Sequence, residues 1–546
     1  MTDHKSPVIE LYDTTLRDGM QGPGMSLSVE EKIRVAHALD SLGFHFIEGG
    51  FPSSNPKEIE FFEALSGESF ENVVVAAFGM TRRRDVTAAD DEALQVLVES
   101  FAPVSTIVGK TWSLHLEKVT KVSPDENLAM IAESVAFLRG EGKRVIYDAE
   151  HFFDGFRDDP KYALECVAAA ADGGAESVVL CDTNGASLPS QIAAATASVV
   201  EALGDRVRVG MHTHDDAGVG VANSLAGVEA GATHVQGTVN GYGERTGNAN
   251  LITILPNLQL KMGYECVPPE SLKQLTETAH LIDEICNMQP DSSAPYVGLD
   301  AFAHKGGMHV AGMLSDASTF EHIDPALVGN DRNILISELS GRGTVQVRAA
   351  DAGIEMDSEK AAKVVDRVKE LESLGYHFEA ADASFDLLIR KETGAYKPLF
   401  KLESWRTIAE KLEDGKVQTE ATIKIWVNGE RFVRTAEGNG PVNALDKALR
   451  DAIGETYSHL KDIDLVNFKV RILNETKGTG AVTRVLLDAS DGHKTWGAIG
   501  VSENIIEASW EALVDALEFG MQPGSETARP GEQLISESTS GEKGSS

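Results

Sequence analysis

The chain has 546 residues, 42% hydrophobic and 25% charged, and its 49 Lys and Arg against 85 Asp and Glu give a formal charge of −36. That field repels phosphate backbones and anionic lipid, so neither a nucleic acid nor a membrane is expected as a partner. No apolar stretch is long enough to span a bilayer and the N-terminal residues form no leader core, so a cytoplasmic protein is expected. Cys166, Cys181, Cys266 and Cys286 form no C-x-x-C pair and are expected to be reduced and buried.

Along the chain, short β-branched runs alternate with amphipathic helical stretches. The runs fall at residues 8–12, 44–47, 73–78, 104–108, 145–147, 177–181, 207–211 and 233–239, with helical segments such as 29–42 and 163–171 between them. Alternation at this period predicts parallel strands joined by crossover helices, and eight of them predict a (β/α)8 barrel over residues 1–270. A doubly wound open sheet is the alternative, but no glycine-rich phosphate loop follows the first strand.

From 271 to 415 the strand signal fades, which predicts helical linker subdomains, including an amphipathic helix over 358–374. Residues 416–521 then predict an α+β domain built twice. Strand 422–427, the turn Asn428-Gly429, strand 431–435 and helix 442–453 are followed by strands 465–473, 482–487 and 495–501 and helix 505–519. The tail, 522–546, is rich in Pro, Gly, Ser and Glu and is expected to be disordered.

In such a barrel, functional groups gather where the strands end. There the sequence places Arg17 and Asp18, Glu48, Lys110, Glu150, Asp182, the pair His212 and His214, and a loop from Asn240 to Asn248. Residues two apart on a strand share a face, so both imidazoles can address one ion. With a carboxylate from strand one, Asp18 or Asp13, they make a two-histidine, one-oxygen set with open positions, suited to Mg²⁺, Mn²⁺ or Zn²⁺ acting as a Lewis acid. Arg17 beside it can pair with a substrate carboxylate or hold developing oxygen charge, and a salt bridge to Glu48 or Glu150 is compatible with that. Phe78, Met80 and Tyr147 lie near strand ends and are read as bounding the pocket.

Asp13-Thr14-Thr15-Leu16-Arg17-Asp18-Gly19, His212-Thr213-His214-Asp215 and Gly243-Glu244-Arg245-Thr246-Gly247-Asn248 resemble the motifs of the Claisen-condensing 2-isopropylmalate, homocitrate and citramalate synthases. Tyr147-Asp148-Ala149-Glu150-His151-Phe152-Phe153-Asp154-Gly155 and Gly500-Val501-Ser502-Glu503-Asn504 are most similar to the citramalate-forming branch. The resemblance runs to about Met521 and implies an acyltransferase that condenses acetyl-CoA with pyruvate to (R)-citramalate, in isoleucine biosynthesis. A 2-isopropylmalate or homocitrate synthase is the alternative. It further implies a divalent ion on Asp18, His212, His214 and Asn248, Arg17 over the 2-oxo acid, and Glu150 and Thr183 lining its pocket. His309 in the linker, often contributed by the partner subunit in these enzymes, is implied in proton transfer. Phe320 stands where the family often has a tyrosine. The terminal domain is expected to bind isoleucine as an allosteric effector and to pair two chains in a homodimer.

Two other classes of protein share parts of this pattern. A hydroxymethylglutaryl-CoA or oxo-acid lyase would keep the barrel but lacks the long linker and terminal domain. A non-catalytic amino-acid-binding regulator would need a decayed site, whereas Asp18, Arg17, His212, His214 and Asn248 are all present.

Overall fold

Eight parallel strands close on themselves in the computed structural model, which describes residues 7–521 other than 53, 338, 339 and 474. They are β1 (Glu10–Asp13), β2 (Phe46–Gly50), β3 (Val74–Met80), β4 (Val104–Lys110), β5 (Arg144–Glu150), β6 (Ser177–Asp182), β7 (Arg208–Thr213) and β8 (His234–Gly237). Each pairs with its sequence neighbour, and β8 closes on β1 through Leu11 opposite Val235. The open-sheet alternative is thereby set aside.

The connecting helices start and stop where local chemistry dictates. Val29–Leu42 opens with a capping box between Ser28 and Glu31 and ends at Gly43, whose φ of 85° suits the left-handed cap. Pro124–Gly140 opens with the Ser123 side chain on the Glu126 N–H and proline in its first turn. The helices bury one stripe against the outer face of the strands, with Val35, Leu39, Ile131, Val135, Val167 and Val199 all fully buried. A second, smaller cluster fills the barrel interior: Tyr12, Phe46, Ala76, Val104, Ile146, Val179 and Cys181. All four cysteines are free and buried.

The chain divides into two compact units, the first running through Phe302 and including Ile323–Arg332. That returning segment is tied into the first unit by Thr276, whose hydroxyl donates to the Val328 carbonyl at 2.8 Å, and by Asn330, whose Nδ2 donates to the Tyr296 and Gly298 carbonyls. At Gly329, φ is 69° and a Cβ would overlap the Lys273 carbonyl, so only glycine fits.

The second unit takes Ala303–His322 and the chain from Asn333 on. It begins with β9 (Ala303–His304) paired to β10 (Asn333–Ile334), and continues with helices Arg342–Asp351, Ser358–Ser373 and Asp382–Thr393. The expected amphipathic helix is Ser358–Ser373, burying Ala361, Val364, Val365 and Val368. Two antiparallel three-stranded sheets follow, each closed by a helix. β11 (Lys401–Lys411), β12 (Val417–Val427) and β13 (Glu430–Gly438) precede Pro441–Ile453; β14 (Asp464–Ile472), β15 (Thr483–Ser490) and β16 (Thr495–Ser502) precede Ile505–Met521. The Asn428-Gly429 turn has φ of 49° and 86°, the positive pair a two-residue hairpin requires. β11 begins inside the stretch read as helical linker, so the terminal sheet starts before residue 416. The tail, 522–546, expected to be disordered, lies outside the described residues.

Candidate metal and substrate site

The barrel interior is a ladder of inward side chains. Above Tyr12 and Phe46 sit Glu48, Thr106, Asp148, His212 and Gln236, all buried. The Tyr12 hydroxyl donates to Glu48 Oε1 at 2.9 Å and lies 2.7 Å from Thr106 Oγ1, and the Thr14 hydroxyl donates to Glu48 Oε2. The same oxygen receives the Arg17 Nε–H at 2.6 Å, while Arg17 Nη1 lies 3.1 Å from Asp18 Oδ1. The guanidinium stacks over Phe78, 3.9 Å from the ring centre. Arg17 is thus held on three sides and aimed across the strand ends.

Asp18 Oδ2 lies 3.3 Å from His212 Nε2 and 3.9 Å from His214 Nε2, and the two nitrogens are 3.3 Å apart. Asp13 does not share this site: its carboxylate accepts the Thr15 N–H at 2.9 Å and the Thr15 hydroxyl at 2.8 Å. Asn248 is bridged antiparallel to His214, and its Nδ2 donates to the Tyr242 carbonyl at 3.1 Å. The loop that presents it depends on glycine: Gly247 has φ 94° and a Cβ there would overlap the Gly241 carbonyl. Arg245 pins the same loop, donating twice to Asp216 and once to the Thr183 carbonyl.

This donor set fits a divalent cation. His212 Nδ1 donates to Gln236 Oε1 at 2.8 Å, and Gln236 Nε2 donates to Asp148 Oδ1 at 3.0 Å, which leaves Nε2 as the free lone pair facing Asp18. Asn248 Oδ1 is buried with no hydrogen-bond partner, an orphan acceptor that a cation would satisfy. Burial opposes charge on Asp18, but the Arg17 guanidinium and then His212 hold its carboxyl well below the usual range. Burial likewise opposes a charged His212, and its bond with Asp18 outweighs this and raises its pKa. His214 falls to about 4 through burial and then its charged neighbour. Asp148, sealed inside the barrel, is pushed up to about 7 by burial.

The remaining expected residues separate. Glu150 pairs with Lys110 at the strand ends, and its carboxylate, His115 and His151 present ligand atoms within 4.8 Å of one another. Thr183 Oγ1 accepts the His151 N–H at 2.9 Å. Tyr147 is corrected: it is fully buried in the layer between strands and helices, because Ile146 and Asp148 occupy the inward positions on β5 and alternation sends Tyr147 outward. Phe78 and Met80 do face inward, Phe78 beneath Arg17 and Met80 46% exposed. His309 is exposed on helix Gly307–Ser315 of the second unit, stacked on Phe320 with ring centres 4.4 Å apart. Gln236 was missed; in β8, His234-Val235-Gln236-Gly237, polar residues two apart share the inward face, His234 against Tyr12, and that spacing is the available signal.

Fold and site define a class. Residues 8–282 match the HMGL-like family, 296–375 the homocitrate synthase post-HMGL domain-like family and 379–521 the LeuA allosteric (dimerisation) domain. The chain is 48% identical to (R)-citramalate synthase of Aquifex aeolicus, covering 95% of this chain and 98% of that one. It is 48% identical to that of Streptomyces coelicolor, covering 94% and 96%. A probable 2-isopropylmalate synthase of Methanopyrus kandleri is 35% identical, covering 93% and 97%. The chain belongs to the (R)-citramalate synthase family of acyltransferases. None of its helices is long and apolar enough to cross a membrane among the described residues.

Proposed function

We propose that the barrel joins the methyl carbon of acetyl-CoA to the keto carbon of pyruvate, releasing (R)-citramalate and coenzyme A. The observation that carries this is the full-length identity of 48% to (R)-citramalate synthases, against 35% to a probable 2-isopropylmalate synthase. Asp18, His212, His214 and Asn248 would hold a divalent ion, which when bound polarises the keto group of a 2-oxo acid. Arg17, with Nε on Glu48 and Nη1 on Asp18, presents its remaining edge to the substrate carboxylate or to the oxygen that gains charge as the carbon–carbon bond forms. Glu150 and Thr183 line the rim around the 2-oxo acid. His309 is assigned proton transfer, since an imidazole can both take up and give back a proton. Hydrolysis of the thioester makes the sequence irreversible.

The terminal domain is proposed to pair two chains and to take isoleucine, the end product of the route that consumes citramalate, as its effector. A duplicated module of this kind can pair across a two-fold axis and bias a distant site. An enzyme drawing on acetyl-CoA and pyruvate is placed in the cytoplasm. The test is thiol release from acetyl-CoA with pyruvate, 2-oxobutyrate, 2-oxoisovalerate or 2-oxoglutarate, with and without chelator. Preference for pyruvate, abolished by chelator and lowered by isoleucine, is expected; preference for 2-oxoisovalerate would reassign the substrate, and release with none would refute condensation.

A further inference from the structure

A second cluster of metal-binding side chains stands at the ends of β4 and β5 and shares no residue with Asp18, His212 and His214. Glu150, the last residue of β5, its neighbour His151, and His115 in the segment after β4 present ligand atoms within 4.8 Å of one another. A glycine brings their elements together. A Cβ on Gly155, in helix Phe152–Asp158, would stand 2.6 Å from the Thr111 carbonyl oxygen, so the helix after β5 lies this close to the backbone after β4 only with glycine there. The His115 and His151 ring centres are then 4.2 Å apart, and Trp112 stacks on His115 with its centre 5.6 Å away.

Both imidazoles are set up as ligands. His151 Nδ1 lies 3.3 Å from Asp154 Oδ2, and that carboxylate is itself fixed by Asn184 Nδ2 at 2.8 Å and by Arg157 Nη2 at 2.6 Å. A carboxylate on one ring nitrogen turns the other toward an ion, the outer partner that ligating histidines carry. The backbone of His151 is fixed as well, its N–H on Thr183 Oγ1 and its φ a left-handed 55° of the kind that collects at ligand sites. His115 Nδ1 is buried with no hydrogen-bond partner among the described residues. Ring stacking accounts for the place of His115 but leaves this nitrogen unanswered, and a cation would satisfy it. Burial, and then the neighbouring His151, lower the pKa of His115, so its ring stays neutral. The one oxygen ligand, Glu150, is paired with Lys110. Mg²⁺, which wants oxygen, finds little here, whereas two imidazoles suit Zn²⁺ or Co²⁺.

We propose that His115, His151 and Glu150 form a second, inhibitory site for a borderline divalent cation such as Zn²⁺, separate from the ion on Asp18, His212 and His214. An ion here draws Glu150 off Lys110. The reading above puts Glu150 on the rim around the 2-oxo acid, so occupation lowers turnover; this consequence rests on that reading, whereas the binding does not. The full-length wild type, His115→Phe, which keeps a ring on Trp112, and His151→Asn, which suits the left-handed backbone, are dialysed against Zn²⁺ in a large excess of Mg²⁺ to occupy the acidic surface. Wild type is expected to retain one zinc ion more per chain than either variant. In a Co²⁺ titration, His212→Ala, which disables the other site, is expected to keep a visible absorption band that His115→Phe/His212→Ala loses. Thiol release at saturating Mg²⁺ is then followed against rising Zn²⁺, each protein relative to its own rate without zinc. The zinc concentration that halves the rate is expected to rise at least tenfold in both single variants. Equal zinc stoichiometry in wild type and variants, or a Co²⁺ band that survives the double substitution, would overturn the site, and equal inhibition at unequal stoichiometry would overturn its inhibitory role. A wild type that condenses no 2-oxo acid would refute the functional reading, while the dialysis would still decide the site.

Discussion

Gln236 Oε1 lies 2.8 Å from His212 Nδ1, so an amide on one strand decides which imidazole nitrogen on the next is free for a metal. Asp148 fixes that amide in turn, receiving Gln236 Nε2 at 3.0 Å. Replacing Gln236 by leucine removes the acceptor and frees the ring to turn. Loss of such an outer partner costs about 10- to 100-fold in metal affinity, and Gln236→Leu is expected to show this in a Mn²⁺ titration with its circular dichroism unchanged. Wild-type affinity in the variant would show that the tautomer is set elsewhere.

Arg17 is held by Glu48, Asp18 and the Phe78 ring at once. Removing a charge-stabilising contact of this kind costs on the order of 3 kcal/mol, roughly a hundredfold in kcat. Arg17→Ala is expected to lose that much, and Arg17→Lys to recover little of it, because one ammonium cannot reproduce two anchored nitrogens and a free edge. Steady-state thiol release decides it; a loss below tenfold, or full rescue by lysine, contradicts the role.

Metal uptake should release protons. The His212 pKa is raised above its ordinary value by Asp18 against the pull of burial, so at mildly acidic pH the metal-free site carries a proton that a cation must displace. Affinity is therefore expected to fall as pH drops through that pKa, with proton release largest below it and vanishing well above it. Calorimetry in buffers of different ionisation enthalpy reads the release directly. His212→Ala is expected to abolish both the release and the binding.

Asp148 carries a cost that depends on pH. Burial raises its pKa to about 7 in the folded chain, against 3.8 when unfolded. Between those values the folded state holds the extra proton, so stability falls as pH rises from about 4 to 7 and stays reduced above. Asp148→Asn keeps an acceptor for Gln236 without the charge. Its melting temperature in metal-free buffer is expected to exceed that of wild type at pH 8 and to match it at pH 4; a gain equal at both would trace the effect to packing.

The barrel is legible in the sequence because each strand is a short β-branched run and each helix a separate amphipathic stretch, as in 29–42, where the expected and observed bounds coincide. Asp18, His212 and His214 are legible because a strand's two-residue period and the shared barrel mouth bring them together. Tyr147 shows the limit: the residue lies near a strand end, but only the phase of alternation, set by Ile146 and Asp148, tells inward from outward. β11 was hidden for a different reason. Most of its residues are exposed, so the apolar alternation that marks β12 is missing. Gln236 escaped because its role rests on two partners, His212 and Asp148, that come from other strands and meet it only once the barrel closes.

The return of Ile323–Arg332 to the first unit means that the polypeptide crosses between the units three times. A graft of a different terminal module needs one clean joint, and Phe302 is not one. A cut there would strip away the segment held by the Thr276 hydroxyl and by the Tyr296 and Gly298 carbonyls. The first unit is therefore whole only when the chain runs on through Arg332. Exchanging the terminal domain of such a protein therefore calls for a joint beyond Arg332.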